Sequence, residues 1–127
     1  MDGNDRRPVF LSLHKIRLPI NGLVSIFHRV SGLVMCLTLP IVLCALSCSL
    51  KSAAHFAQVK ASLLQPQGWG LVCFLIALAW IYHVLAGMRH LIMDIGWGKS
   101  LSASRCMAFC VLLLFTASAV SLGVWLW

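Results

Sequence analysis

The sequence predicts an all-α integral membrane protein with three transmembrane helices. Of its 127 residues, 61% are hydrophobic and only 10% charged, too apolar a balance for a small water-soluble domain. Residues 30–50 and 107–127 contain no charged side chain. At ~1.5 Å per residue, each run reaches ~30 Å, the thickness of a bilayer core. A third apolar run begins near Trp69 and meets charge only at its far end, at Arg89 and Asp94.

The elements follow in order. Residues 1–22 are polar and basic, with Arg6, Arg7, Lys15 and Arg17 interleaved with Phe10, Leu11, Leu13, Ile16 and Leu18. Pro8 and Pro19 punctuate the segment, and Asn21-Gly22 reads as a turn. It is expected to be an irregular interface segment on the cytoplasmic surface. Residues 23–127 form the transmembrane domain, with spans at about 23–50, 68–95 and 104–127. Pro40 falls inside the first span and should kink it, which membrane helices tolerate. Residues 51–67 read as a short loop, with His55 solvated. Gly96-Trp97-Gly98-Lys99-Ser100 reads as a tight connection, and Trp125 and Trp127 as an interfacial belt. Thr116, Ser118, Ser121 and Gly123 are small enough for close helix contacts.

Charge orients the bundle. Ten Lys and Arg face three acids, a formal net charge of +7. The basic residues sit at the ends of apolar runs, a pattern that suits topology and lipid or protein attachment rather than nucleic acid. Arg6, Arg7, Lys15, Arg17, Arg29, Arg89, Lys99 and Arg105 gather on one side, against Lys51 and Lys60 on the other. This predicts an N-terminus inside and a C-terminus outside. The first strongly apolar run starts near residue 30 and is too long for a secretory signal core, so no signal peptide is expected. Cys36, Cys44, Cys48, Cys73, Cys106 and Cys110 lie in or beside apolar runs without a CxxC. They read as packing residues rather than iron–sulfur ligands.

Ionisable groups inside an apolar span are costly and are functional candidates for that reason. The stretch Tyr82 to Asp94 holds several. At ~100° per residue, His83, Gly87, His90 and Asp94 share one helix face, with Ala79 and Ala86 beside it. A neutral histidine among small residues leaves room for a flat group, and His83 is read as a haem-iron ligand. It lies ~7–8 Å below the boundary near Met88, a depth that suits a macrocycle with its carboxylates at the interface. Ser25, His28, Arg29 and Gly32 recur at helical spacing on the first span, at the same side of the membrane. Arg29 and His28 would meet those carboxylates, since a guanidinium pairs bidentately and stays charged. Blander readings stand beside these. His83 also suits a helix–helix hydrogen bond, Arg89 and His90 suit snorkelling, and Asp94 suits a helix cap or a pair with Arg89.

Two motifs carry a family resemblance. Arg7-Pro8, Ile16-Arg17-Leu18-Pro19 and Ser25-Ile26-Phe27-His28-Arg29-Val30-Ser31-Gly32 resemble the N-terminal motif of the succinate dehydrogenase cytochrome b556 family. Tyr82-His83, Gly87-Met88-Arg89-His90 and Met93-Asp94 resemble that family's haem-binding helix. The resemblance covers nearly the whole chain. It implies a membrane-anchor subunit of respiratory complex II within a heteromeric helix bundle. It implies haem b shared with a second anchor subunit that supplies the other axial histidine, His83 being the ligand from this chain. It further implies His28 and Arg29 near the haem propionates, Ser25 and Arg29 at the ubiquinone site, and iron–sulfur and flavoprotein partner subunits. In physical terms, Ser25 can donate a hydrogen bond to a quinone carbonyl, and Arg29 can stabilise negative charge developing there. The chain has no motif with which to oxidise succinate itself.

Rival readings keep parts of this. One is a structural anchor without cofactor. Another is the equivalent anchor of a fumarate reductase. A third is a transporter subunit with a proton path through His83, His90 and Asp94. Ligation within the chain through His28 or His90 is a further variant.

Overall fold

A computed structural model describes residues 18–64 and 69–126. The N-terminal segment 1–17, the stretch 65–68 and Trp127 lie outside them, and so do the expectations placed there. Four helices follow in order: α1 (Ile20–Ser49), α2 (Ala53–Leu64), α3 (Trp69–Asp94) and α4 (Leu101–Leu126). α1, α3 and α4 are each long and apolar enough to cross a membrane. The described chain is all-α, as its periodicity and composition require.

α1 starts earlier than the turn chemistry suggested. The amides of Gly22 and Leu23 both donate to the Pro19 carbonyl, at 2.8 and 3.2 Å. Asn21-Gly22 is therefore the first helical turn rather than a loop. Proline suits the position before a helix because its φ, here −64°, is already set and its missing N–H would have had no partner there. The helix continues through Pro40 to Ser49.

Residues 51–67 are not simply a loop, because α2 occupies Ala53–Leu64. Ser52 caps it, its hydroxyl accepting from the His55 amide at 3.2 Å and lying 2.8 Å from His55 Nδ1. The signal was present: an N-cap serine followed by an alanine-rich stretch of good helix formers. His55 is exposed, as expected.

The connection 95–100 is tight. Gly96 (φ 108°) and Gly98 (φ 72°) take left-handed backbone conformations, which glycine adopts at least cost. At Gly98 a side chain would also strike Met107 Sδ.

α1 packs chiefly on α3, and α3 on α4. The buried core is small and lies at one end of the bundle. It consists of Val24, Tyr82, Ala86, Ala108 and Val111, with Ile20, Leu85, Leu112 and Phe115 against it. The Tyr82 ring meets Phe115 edge-on at 5.2 Å and Phe27 edge-on at 6.2 Å. Most large apolar side chains point outward, among them Leu37, Leu113 and Val124. Outward apolar faces are stable only against lipid or other helices. Among the small residues of α4, Gly123 lies against Phe74, whereas Thr116 and Ser121 are exposed on this chain. Thr116 satisfies its hydroxyl on the Leu112 carbonyl at 2.8 Å.

Candidate functional site

The antiparallel pairing of α1 with α3 brings the N-terminal third of α1 against the C-terminal third of α3. Adjacent faces of α3 then do different work. Tyr82, Ala86 and Arg89, spaced at i, i+4 and i+7, are buried in the core. His83, Gly87 and His90, one position further round, meet His28 of α1.

The His83 and His28 rings stack with centroids 4.2 Å apart and planes within 16°. His90 lies on the other ring neighbour, its centroid 5.0 Å from that of His28. The space left by the small residues on this face is taken by the histidines themselves: a Cβ at Gly32 would lie 2.9 Å from His83 Cε1, and one at Gly87 3.4 Å from His28 Nε2. Ala86 is fully buried against this chain's own helices and contributes no open space. Asp94, predicted to share the histidine face, is exposed at the end of α3.

Hydrogen bonds define the state of His83. Ser31 Oγ donates its one proton to the His28 carbonyl at 2.8 Å. The same oxygen lies 3.2 Å from His83 Nδ1, and the His28 carbonyl lies 3.1 Å from it. With the serine proton already committed, both oxygens can only accept from this nitrogen. Nδ1 therefore carries the hydrogen, and Nε2 carries the lone pair. Nε2 is not among the buried unpaired side-chain atoms of the described residues, which are His28 Nε2 and Arg89 Nε. A histidine whose Nδ1 donates to a backbone carbonyl keeps its Nε2 lone pair for a metal, the arrangement common among histidine ligands. The buried and unpaired His28 Nε2 fits a missing polar partner such as a propionate oxygen. On both counts the residues present suit a haem.

The other predicted residues divide. Ser25 is half-buried on α1, one turn before Arg29. Arg29 is exposed and directed away from the core, and so is available to a ligand or another subunit. Arg89 neither snorkels nor pairs with Asp94. It is 4% exposed, and its Nη2 donates to Asn21 Oδ1 at 3.1 Å, Ser104 Oγ at 3.0 Å and the Ser104 carbonyl at 3.3 Å. It thereby ties α3 to α1 and α4. The reason lies in register: Arg89 belongs to the inward row with Tyr82 and Ala86 rather than to the histidine row beside it. Asn21 read only as a turn residue and Ser31 only as part of a motif, and Ser104 carried no signal, since a small polar residue declares its partner only once the helices are paired. Two further interhelical bonds were equally invisible: Tyr82 Oη donates to the Val24 carbonyl at 3.1 Å, and Trp80 Nε1 to Thr38 Oγ1 at 3.3 Å.

The six cysteines lie among the described residues as free thiols. Their positions on the outward and half-buried faces of helices suit packing.

Comparison with known proteins adds an independent line. Residues 3–123 match the family model described as succinate dehydrogenase/fumarate reductase transmembrane subunit. The chain is similar to a succinate dehydrogenase cytochrome b556 subunit from Coxiella burnetii, at 36% identity over 98% of this chain and 99% of the relative. A succinate dehydrogenase cytochrome b560 subunit from Reclinomonas americana is 35% identical over 74% of this chain and 68% of its own. A cytochrome b556 subunit from Rickettsia felis is 28% identical over 84% and 82%, respectively.

Proposed function

Because the chain belongs to the succinate dehydrogenase/fumarate reductase transmembrane-subunit family, we propose that it anchors succinate dehydrogenase in the membrane, co-ligates haem b and helps form the ubiquinone-reduction site. The observation that carries the haem reading is the fixed imidazole of His83, with Nδ1 held by the His28 carbonyl and Ser31. His83 Nε2 would be the atom by which this chain holds the haem, and a histidine of a second anchor subunit would supply the other ligand. His83 is only half-buried on this chain, which supports a ligand site shared between subunits. His28, through its unpaired Nε2, and Arg29 hold the propionates. The bound haem supplies one-electron redox chemistry at this site.

Ser25 and Arg29 serve the quinone. They are one helical turn apart on α1, and among the described residues neither side chain makes a hydrogen bond, which supports an external polar ligand. A serine hydroxyl orients a quinone carbonyl by donating to it. A guanidinium stabilises the negative charge that gathers on that oxygen during reduction, and a site near the aqueous edge has protons within reach. The flavoprotein subunit oxidises succinate, and the iron–sulfur subunit delivers electrons to the quinone. The names of the similar proteins favour the succinate-oxidising direction over fumarate reduction.

We further propose an inner-membrane location with the histidine end cytoplasmic. Arg29, Lys99 and Arg105 lie at that end, against Lys51 and Lys60 at the other. Arg89, being buried, does not count toward this bias.

The test of the quinone role is a split assay on the purified complex. Ser25→Ala and Arg29→Leu should lower succinate:ubiquinone reductase activity at least ~10-fold, roughly the value of one or two lost polar contacts to developing charge. Succinate oxidation by a soluble dye that draws electrons upstream of the quinone should stay at the wild-type rate. Full quinone reductase activity in both variants would contradict the assignment.

A further inference from the structure

Resting on the reading of His83 as a haem ligand, we propose that Ser31 and Gly32 are positioning residues for its imidazole. Ser31 sets the hydrogen bonding of Nδ1, and Gly32 sets how close the ring lies to α1. Neither residue would touch the iron. Both would act through the ligand.

The case for Ser31 rests on three distances that share atoms. Its hydroxyl gives its proton to the His28 carbonyl at 2.8 Å, so its oxygen can only accept from His83 Nδ1 at 3.2 Å. Nδ1–H is shared between that oxygen and the carbonyl at 3.1 Å. An O–H already donating to a carbonyl is polarised, which makes its oxygen a stronger acceptor. Two acceptors on one N–H draw the proton away from the ring and leave Nε2 more electron-rich. Such a ligand favours ferric over ferrous iron. Ser31 is 6% exposed, so water cannot take its place without a rearrangement.

Gly32 acts by what it lacks. A Cβ there would lie 2.9 Å from His83 Cε1 and 3.3 Å from Nδ1. Real Cβ atoms do not approach a ring this closely, and the stacked His28 imidazole limits where the ring can move. A methyl group at residue 32 must therefore turn or push the His83 ring away from both of its acceptors.

Redox titration and low-temperature electron paramagnetic resonance of the purified complex test this. In Ser31→Ala the haem should remain bound, because the His28 carbonyl still accepts, while its midpoint potential moves to a more positive value. The low-spin ferric signal should move with it. Ser31→Thr keeps the hydroxyl and should restore both. Gly32→Ala should shift the ferric signal through ring rotation and reduce haem retained per complex roughly 10-fold, the lower range for loss of an outer-shell contact. If Ser31→Ala does not assemble, Ser31→Cys, with a weaker acceptor of similar size, should show the same positive shift in part. An unchanged or lowered midpoint with an unchanged ferric signal would overturn the role of Ser31, and an unchanged Gly32→Ala signal would overturn that of Gly32. A His83→Ala complex that keeps its haem spectrum would instead sink the ligand assignment itself, so the two failures are distinguishable.

Discussion

The two ends of the helix bundle are held by different forces. At the histidine end, α1, α3 and α4 are joined by directional polar contacts. Arg89 reaches Asn21 and Ser104, Tyr82 reaches Val24, and Ser31, His28 and His83 form one network around a small buried core. At the opposite end α1, α2, α3 and α4 line an apolar cavity of about 540 Å³. Val42, Ala45, Phe56, Leu63, Phe74 and Leu122 contribute to its wall, and α2 closes one side. In lipid, apolar surfaces gain little by meeting one another, because the surrounding hydrocarbon is equally apolar. Register and pairing therefore come from the polar end, and the apolar end follows.

That contrast orders the expected effects of substitution. Arg89→Ala should be the most damaging change to the stability of the bundle. It removes hydrogen bonds to two helices, each worth ~0.6 to 1.7 kcal/mol in membrane proteins, and should cost about 2 kcal/mol in total. Thermal denaturation of the detergent-solubilised complex would read it as a lowered midpoint. Arg89→Lys should recover little, since a point charge on a flexible stem cannot reproduce the guanidinium fork. Recovery by lysine would mean that charge, not geometry, matters at this end.

Tyr82→Phe should cost about 1 kcal/mol, because it removes one hydrogen bond and keeps the ring between Phe27 and Phe115. Phe56→Ala, at the cavity, should change stability by no more than about 0.5 kcal/mol, since Phe56 is 57% exposed on this chain and makes no directional contact. A larger loss from Phe56→Ala than from Tyr82→Phe would reverse the comparison, and the apolar end would then be the one that specifies the bundle.

How far the sequence carried the reading depends on the kind of contact. That there are three helices long and apolar enough to cross a membrane was legible because apolar length is a local property. The pairing of His83 with the His28 region was legible because both clusters fall at one membrane boundary once the chain is threaded up and down. The partners of Arg89 were not, since helical spacing alone does not say which of two adjacent rows faces inward. α2 was passed over for a different reason. Its apolar and polar residues alternate too weakly to separate it from a loop, although Ser52 and the alanines that follow are ordinary helix-start chemistry.

The most direct measurement is a reduced-minus-oxidised optical spectrum of the purified complex, wild type against His83→Ala, with equal amounts of this chain confirmed in both. The account predicts a b-type α-band in the wild type that is abolished or strongly displaced in the variant. An unchanged band in His83→Ala would contradict it, and the iron would then have to be held by another residue.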